Sequence, residues 1–214
     1  MKIQLENVKP MEIEKRSFEI IGQELKEQGK ILQPDTELIV KRCIHTSADF
    51  DYADNLAFSP GAVEQALAAI REGADIVTDT QMAKAGINKR ALARYGGQVH
   101  CFMSDEDVAA AAKAAGTTRA TASMDKAAAL GGNFIYAVGN APTALVRLYE
   151  LIREGKINPK LIIGVPVGFV NVVASKELIM ETEVPWIIAR GRKGGSNIAA
   201  CICNALLYML NNER

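Results

Sequence analysis

The chain has 214 residues, with 25 Lys+Arg balanced by 25 Asp+Glu. That balance leaves no global field to draw nucleic acid or an anionic membrane, so any anion recognition must come from local clusters. An apolar fraction of 49% and a charged fraction of 23% are ordinary for a globular protein, and the length suits one domain over residues 1–214 with a single large core.

The opening "MKIQLENVK" turns polar before a signal-peptide core could develop, and with four cysteines in no disulfide spacing it leads us to expect a cytoplasmic protein. "MEIEKRSFEIIGQELKEQG" and "DTELIVKRCIHTS" both have helical periodicity, so two helices are expected before any sheet. "ADIVTD", "QVHCFM", "NFIYAVG", "LIIGVP" and "PWIIAR" are short apolar runs bounded by turn residues and read as buried strands. Between and after them, "SPGAVEQALAAIREG", "SDEDVAAAAKAA", "APTALVRLYELIREG" and "GSNIAACICNALLYML" read as helices. Alanine-rich "VAAAAKAAGTTRATASMDKAAAL" divides into two helices around Gly116.

Ser59-Pro60 and Ser104-Asp105-Glu106 look like helix starts, and Gly73 and Gly155 like helix stops. The alternation predicts a three-layer α/β/α domain with a mostly parallel sheet, preceded by N-terminal helices. Neither long uncharged stretch suits a membrane. Ala127–Val146 is broken by glycines and Pro142, and the apolar segment Ile198–Leu210 is short and interrupted by Asn204.

In open α/β sheets ligands gather at the carboxyl ends of strands. That rule points to Asp79 and Thr80, to Gly139-Asn140, to "PVGFVN" and to "RGRKGGSN". The last is the strongest local signal: a strand enters a glycine-rich loop with Arg190, Arg192 and Lys193, then a helix N-terminus, an arrangement suited to a carboxylate or phosphate. It matches neither GxGxxG nor the P-loop, and a tight turn with solvated cations is the competing reading. "AVGNAPTAL" has the same design with less charge, and reads equally well as a plain strand-to-helix connection.

His45, three residues after Arg42, shares a helix face with it. It is either an acid–base group or a helix-end residue satisfied by Asp49 or Asp51. Those carboxylates and Asp54 lack calcium-loop spacing. His100 reads as a core residue with a hydrogen-bond partner. Cys43, Cys101, Cys201 and Cys203 read as buried free thiols; Cys201 and Cys203, two apart on a helix, face different ways and share no metal. GxSxG, HExxH and CxxC are absent.

Taken together, "EKRSFEII", "VKRCIHTSAD", "AVGNAPTAL", "GVPVGFVN" and "GRKGGSNIAA" resemble the precorrin-8X methylmutases, also called cobalt-precorrin-8 methylmutases, of cobalamin biosynthesis. The resemblance runs in order along nearly the whole chain. It implies a three-layer α/β homodimer that moves a methyl group between neighbouring carbons of a corrin-type macrocycle. The product would be hydrogenobyrinate, or cobyrinate from the cobalt form. No separate cofactor is implied, cobalt arriving inside the substrate. His45 maps onto the family's proton donor or acceptor, and Ser17 and Arg42 onto substrate contacts. Arg119 resembles a further contact, with the other subunit as its candidate source. Lys193 joins Arg42 and Arg119 as a cation for the acetate and propionate arms of the macrocycle. Two other classes stay in view: a corrinoid carrier without chemistry, and an α/β enzyme using "GRKGGSN" on a phosphorylated metabolite.

Overall fold

Alternation inside very short strands decides the layering of this molecule. The computed structural model describes residues 6–211; the first five residues of "MKIQLENVK" lie outside the described residues. A 3-10 turn leads into helices α1 (Ile13–Glu27), α2 (Glu37–Ser47) and α3 (Tyr52–Asn55). Next come β1 (Leu56–Phe58), α4 (Ala62–Arg71), β2 (Asp75–Thr78), α5 (Gln81–Gly86) and α6 (Lys89–Ala93). The chain continues through β3 (Val99–His100), α7 (Glu106–Ala114), α8 (Arg119–Leu130), β4 (Phe134–Val138) and α9 (Pro142–Arg153). It ends with β5 (Leu161–Gly164), α10 (Val172–Met180), β6 (Trp186–Ala189) and α11 (Ser196–Asn211).

The strands form one sheet in the order β1-β6-β5-β4-β2-β3, parallel throughout except for β1, which runs antiparallel on β6. Side chains of β4 alternate between two cores, because successive residues of a strand point to opposite faces. Ile135 and Ala137 face a core built from α1, α2, α4, α5, α6 and α11, while Phe134, Tyr136 and Val138 face one built from α7, α8, α9 and α10. Residues in β5 and β6 divide the same way, Ile163 and Ile187 to one side and Ile162 and Ile188 to the other. Both faces are covered, as the apolar strands require. The expected three-layer architecture is present.

Differences from the expectation sit where the sequence pattern is weakest. Strand β1 has only three residues, of which Leu56 alone is buried, and was missed. Ser59 does not cap α4: its N–H donates to the Trp186 carbonyl and its hydroxyl accepts from the Trp186 N–H, extending the β1–β6 ladder. Helix α4 begins instead after left-handed Gly61. Gly73 and Gly155, both at positive φ, do end α4 and α9. His100 lies at the end of β3 with Nε2 2.9 Å from Asp75 Oδ2, a partnered residue as expected.

The switch in strand order falls between β2 and β4, where an open α/β sheet would receive a ligand. Here the chain fills that crevice itself. Asp79, fully buried just after β2, accepts N–H bonds from Gly139 (2.8 Å), Asn140 (2.8 Å) and Ala141 (2.6 Å), occupying the anion position that "AVGNAPTAL" offers. Burial pushes its carboxyl above the ordinary range, and the three donors oppose that rise. A Cβ at Gly139 would lie 2.6 Å from Ser196 Cα, so the start of α11 seals the other side. Among the described residues no helix is long and apolar enough to cross a membrane.

Asp79→Asn, which turns an amide N–H₂ toward donors that need an acceptor, is expected to lower the unfolding free energy by about 2–3 kcal/mol. A urea titration would show a lower midpoint at unchanged slope.

Candidate active site

Helix α2 packs on α11, and α1 packs on α2. Ile39, Val40, Cys43 and Ile44 of α2 are buried, which leaves the opposite side of its last turn outside the core. There Ala48 takes a left-handed conformation (φ 54°) and returns its N–H to the Ile44 carbonyl at 2.7 Å, ending the helix. His45, in that last turn, is exposed. The Phe18 ring from α1 meets its imidazole edge-on, 5.8 Å between centroids. Asp49 and Asp51, the alternative partners for the imidazole, both pair with Lys193 instead, each at 2.6 Å. No hydrogen bond claims the ring among the described residues.

Arg42, one turn earlier, is buried between two rings, 4.5 Å from the Tyr208 centroid and 5.6 Å from that of Phe18. Its Nη2 donates to Glu14 of α1, and its Nε is buried with no hydrogen-bond partner among the described residues. Ser17, half-buried on α1, donates its hydroxyl to the Ile13 carbonyl at 2.9 Å. Glu14, Ser17 and Phe18 share one face of α1, three and four residues apart. Two hollows flank this cluster. One, of about 940 Å³, runs along α1 and α2 between Met11, Glu14, Lys15, Phe18, Leu38 and Lys41. The other, of about 320 Å³, lies over α11 between Arg42, Thr46, Met82, Cys201 and Tyr208. His45 stands one turn on from residues that line each.

Of the residues singled out from sequence, the fold thus brings Ser17, Arg42 and His45 together. Lys193 reaches the same region through Asp49 and Asp51, and that pairing raises its pKa. Asp49 is correspondingly held below the usual carboxylate range, chiefly by its bond to Lys193. Arg119 is not part of the cluster within one chain. It opens α8, exposed, in the layer on the other face of the sheet. Glu14, Phe18 and Tyr208 were missed; "EKRSFEII" held the first two at helical spacing, but nothing in it told which face would meet Arg42.

The expected anion cradle in "RGRKGGSN" is turned inward. A Cβ at Gly194 would strike the Val165 carbonyl, and Gly195 N–H donates to that same oxygen at 2.8 Å. The loop is therefore packed on protein backbone, and its cations face out.

All four cysteines are free and buried. Cys201 and Cys203 face different ways, as expected: Cys201 lines the smaller hollow, whereas burial pushes Cys203 up to about 12. Cys201 is lowered to about 7, first by a hydrogen bond from Cys43, then by Thr46 (Oγ1–Sγ 3.2 Å) and the charge of Arg42. One proton serves the pair, so Cys43 is raised in turn.

Known proteins share this fold and much of this sequence. The family model for precorrin-8X methylmutase matches residues 12–209. A cobalt-precorrin-8 methylmutase of Salmonella typhimurium is 47% identical over 94% of this chain and 96% of its own length. That of Priestia megaterium is 43% identical over 96% and 90%. The crystal structure of a precorrin-8X methylmutase from Thermus thermophilus superimposes with a TM-score of 0.85 at 39% identity, covering 94% of this chain and 98% of the other.

Because the thiolate is the reacting form, iodoacetamide is expected to modify Cys201 ahead of Cys43 and Cys203, at a rate that climbs through about pH 7. Peptide mapping after labelling across a pH series checks the order and the midpoint.

Proposed function

Because the chain belongs to the precorrin-8X methylmutase family, isomerases of cobalamin biosynthesis that carry out an intramolecular methyl migration, we propose that His45 exchanges the proton this migration requires. The observation that carries the reading is an exposed imidazole left unclaimed by its neighbouring carboxylates, held edge-on by Phe18 beside the buried Arg42. A methyl shift around a conjugated macrocycle needs little covalent help. The methyl leaves one carbon and bonds its neighbour, and one group must protonate or deprotonate the ring system so that the shift becomes productive. The remaining contacts act by favouring the rearranged electron distribution over the starting one.

In this reading the Arg42 guanidinium, which lines the smaller hollow, takes an acetate or propionate arm, and the Ser17 hydroxyl turns from Ile13 to a second arm. Lys193 stands at the rim, its charge shared with Asp49 and Asp51. Arg119 reaches the substrate from a second copy of the chain, which makes the working form a homodimer. Exposed Met11, Ile13 and Ile20 give the α1 face the apolar surface such an interface uses. We also assign the cobalt-containing macrocycle as substrate, because five relatives at 40–47% identity carry the cobalt-precorrin-8 name. The metal then enters within the substrate, no separate cofactor takes part, and the reaction runs in the cytoplasm.

His45→Ala is expected to bind the coloured macrocycle yet lose about 10²–10⁴ in kcat, the usual worth of a general acid–base group. Turnover at the parental rate, followed by absorbance, would remove His45 from the role. Cobalt-precorrin-8 and precorrin-8X assayed side by side test the substrate assignment, which predicts the higher kcat/KM for the cobalt form.

Subunit sharing is tested by mixing. His45→Ala and Arg119→Ala, each inactive alone, are expected on exchange of subunits to regain about a quarter of parental activity, because random pairing of a two-fold dimer restores one site in each mixed pair. No recovery in demonstrably mixed dimers would place both residues on the same chain's site.

A further inference from the structure

Lys176 is the one lysine among the described residues that is almost wholly buried, 1% exposed in the middle of α10. Burying an ammonium is costly unless it is paired or well hydrogen-bonded. Among the described residues Lys176 has no carboxylate partner; its Nζ donates only to two backbone carbonyls, Gly191 at 2.8 Å and Lys193 at 2.9 Å. Burial accordingly lowers its pKa to about 8.

Those two carbonyls belong to the loop between β6 and α11. The carbonyl between them, Arg192, accepts the N–H of Gly168 at 3.1 Å, from the loop after β5. Three consecutive carbonyls are thus each held by a donor from a neighbouring loop or helix, which opposes rotation of the peptide planes of residues 191–193. Gly194 then rests on the Val165 carbonyl, closing the loop against the carboxyl end of β5. With its carbonyls held, the loop presents the Arg192 and Lys193 side chains outward. Lys193 uses that position to bind Asp49 and Asp51, at 2.6 Å each, in the segment that directly follows the His45 helix. Asp49 also braces its own turn, its Oδ1 accepting the Asp51 N–H at 3.0 Å.

We propose that Lys176 is a positioning residue for the methyl migration: through the carbonyls of Gly191 and Lys193 it fixes Lys193, and through Lys193 the end of the helix that carries His45. It touches no substrate. Its part is to hold, from inside the protein, the far end of a chain of contacts that finishes at the proton-exchanging imidazole. A loosely tied Lys193 would leave the Asp49–Asp51 turn, and with it the last turn of α2, free to shift. The inference rests on the reading of His45 given above.

The test is a double-mutant cycle in kcat and KM on the full-length protein, with thermal unfolding measured alongside. Lys176→Met keeps the apolar stem and removes every donor; Lys193→Met cuts the outer link. Each is expected to lower kcat about ten- to a hundredfold, the scale of a 1 Å misplacement, with KM held within about threefold. The double variant should be no slower than the slower single one, because both cuts sever the same chain. A lysine that only stabilises the fold would lower the melting temperature and give losses in kcat that multiply with those of Lys193→Met; that result overturns the proposal. So does Lys193→Met with parental kcat, or with a raised KM alone, and this surface variant decides the matter even where Lys176→Met does not fold. The two readings fail separately. A parental rate in His45→Ala sinks the role of the imidazole, whereas an inactive His45→Ala with independent losses at Lys176 and Lys193 sinks only the chain of contacts.

Discussion

Helix α11 carries no charged side chain from Ser196 to Asn211, and most of its surface is accordingly covered, the hollow beside Cys201 and Tyr208 excepted. The sheet covers one flank, and α2, α4 and α5 cover the rest. Ile198, Ala199, Ile202, Cys203, Ala205, Leu206 and Leu207 are all buried, and a large apolar side chain taken from water contributes about 1.5–3 kcal/mol. This burial fixes α2 in place, and α2 holds Arg42 and His45. The polar Asn204 at its middle is used as well: it accepts the Asn88 N–H at 2.7 Å and donates to the Gly86 carbonyl at 2.9 Å, joining α5 and α6 to the core helix. The site thus stands on the most deeply packed part of the fold, and its geometry inherits that rigidity.

The Arg42 and Lys193 cations are already paired before any substrate arrives. Arg42 is matched by Glu14, and Lys193 by Asp49 and Asp51. The chain as a whole is neutral too. On the reading proposed above, a macrocycle with many carboxylate arms is met by directed donors, such as the Arg42 guanidinium beside the smaller hollow, and not by a strongly positive basin. Directed donors discriminate by position, which suits the proposed transfer of a proton at one defined carbon.

The general rule for open α/β sheets sent attention to the carboxyl ends of the strands, and at the switch point it failed for a definite reason. Asp79 supplies internally the anion that a ligand would bring, and Ser196 closes the remaining space. The candidate groups collect instead around α1, α2 and the middle and end of α11. The loop after β6 still contributes, but by bracing, with its glycines against backbone and its carbonyls on Lys176.

Local periodicity determined a good deal of this protein. The five parallel strands, most of the long helices and the three layers follow from which residues must be buried, and burial repeats at two or at about 3.6 residues along the chain. The ordered set of motifs was enough to suggest the family, and the RxxH spacing put Arg42 and His45 on one helix turn. Where α2 would lie was another matter. Periodicity tells which face of a helix is hidden, not what it is hidden against, so Glu14, Phe18 and Tyr208 around Arg42 could not be read from it. Lys176 in "ASKELIM" looked like any surface lysine, and the partners of Lys193 lie 142 and 144 residues away. Those pairings exist only once distant segments have packed, because an ion pair or a gripped carbonyl leaves no trace in the spacing of either residue alone.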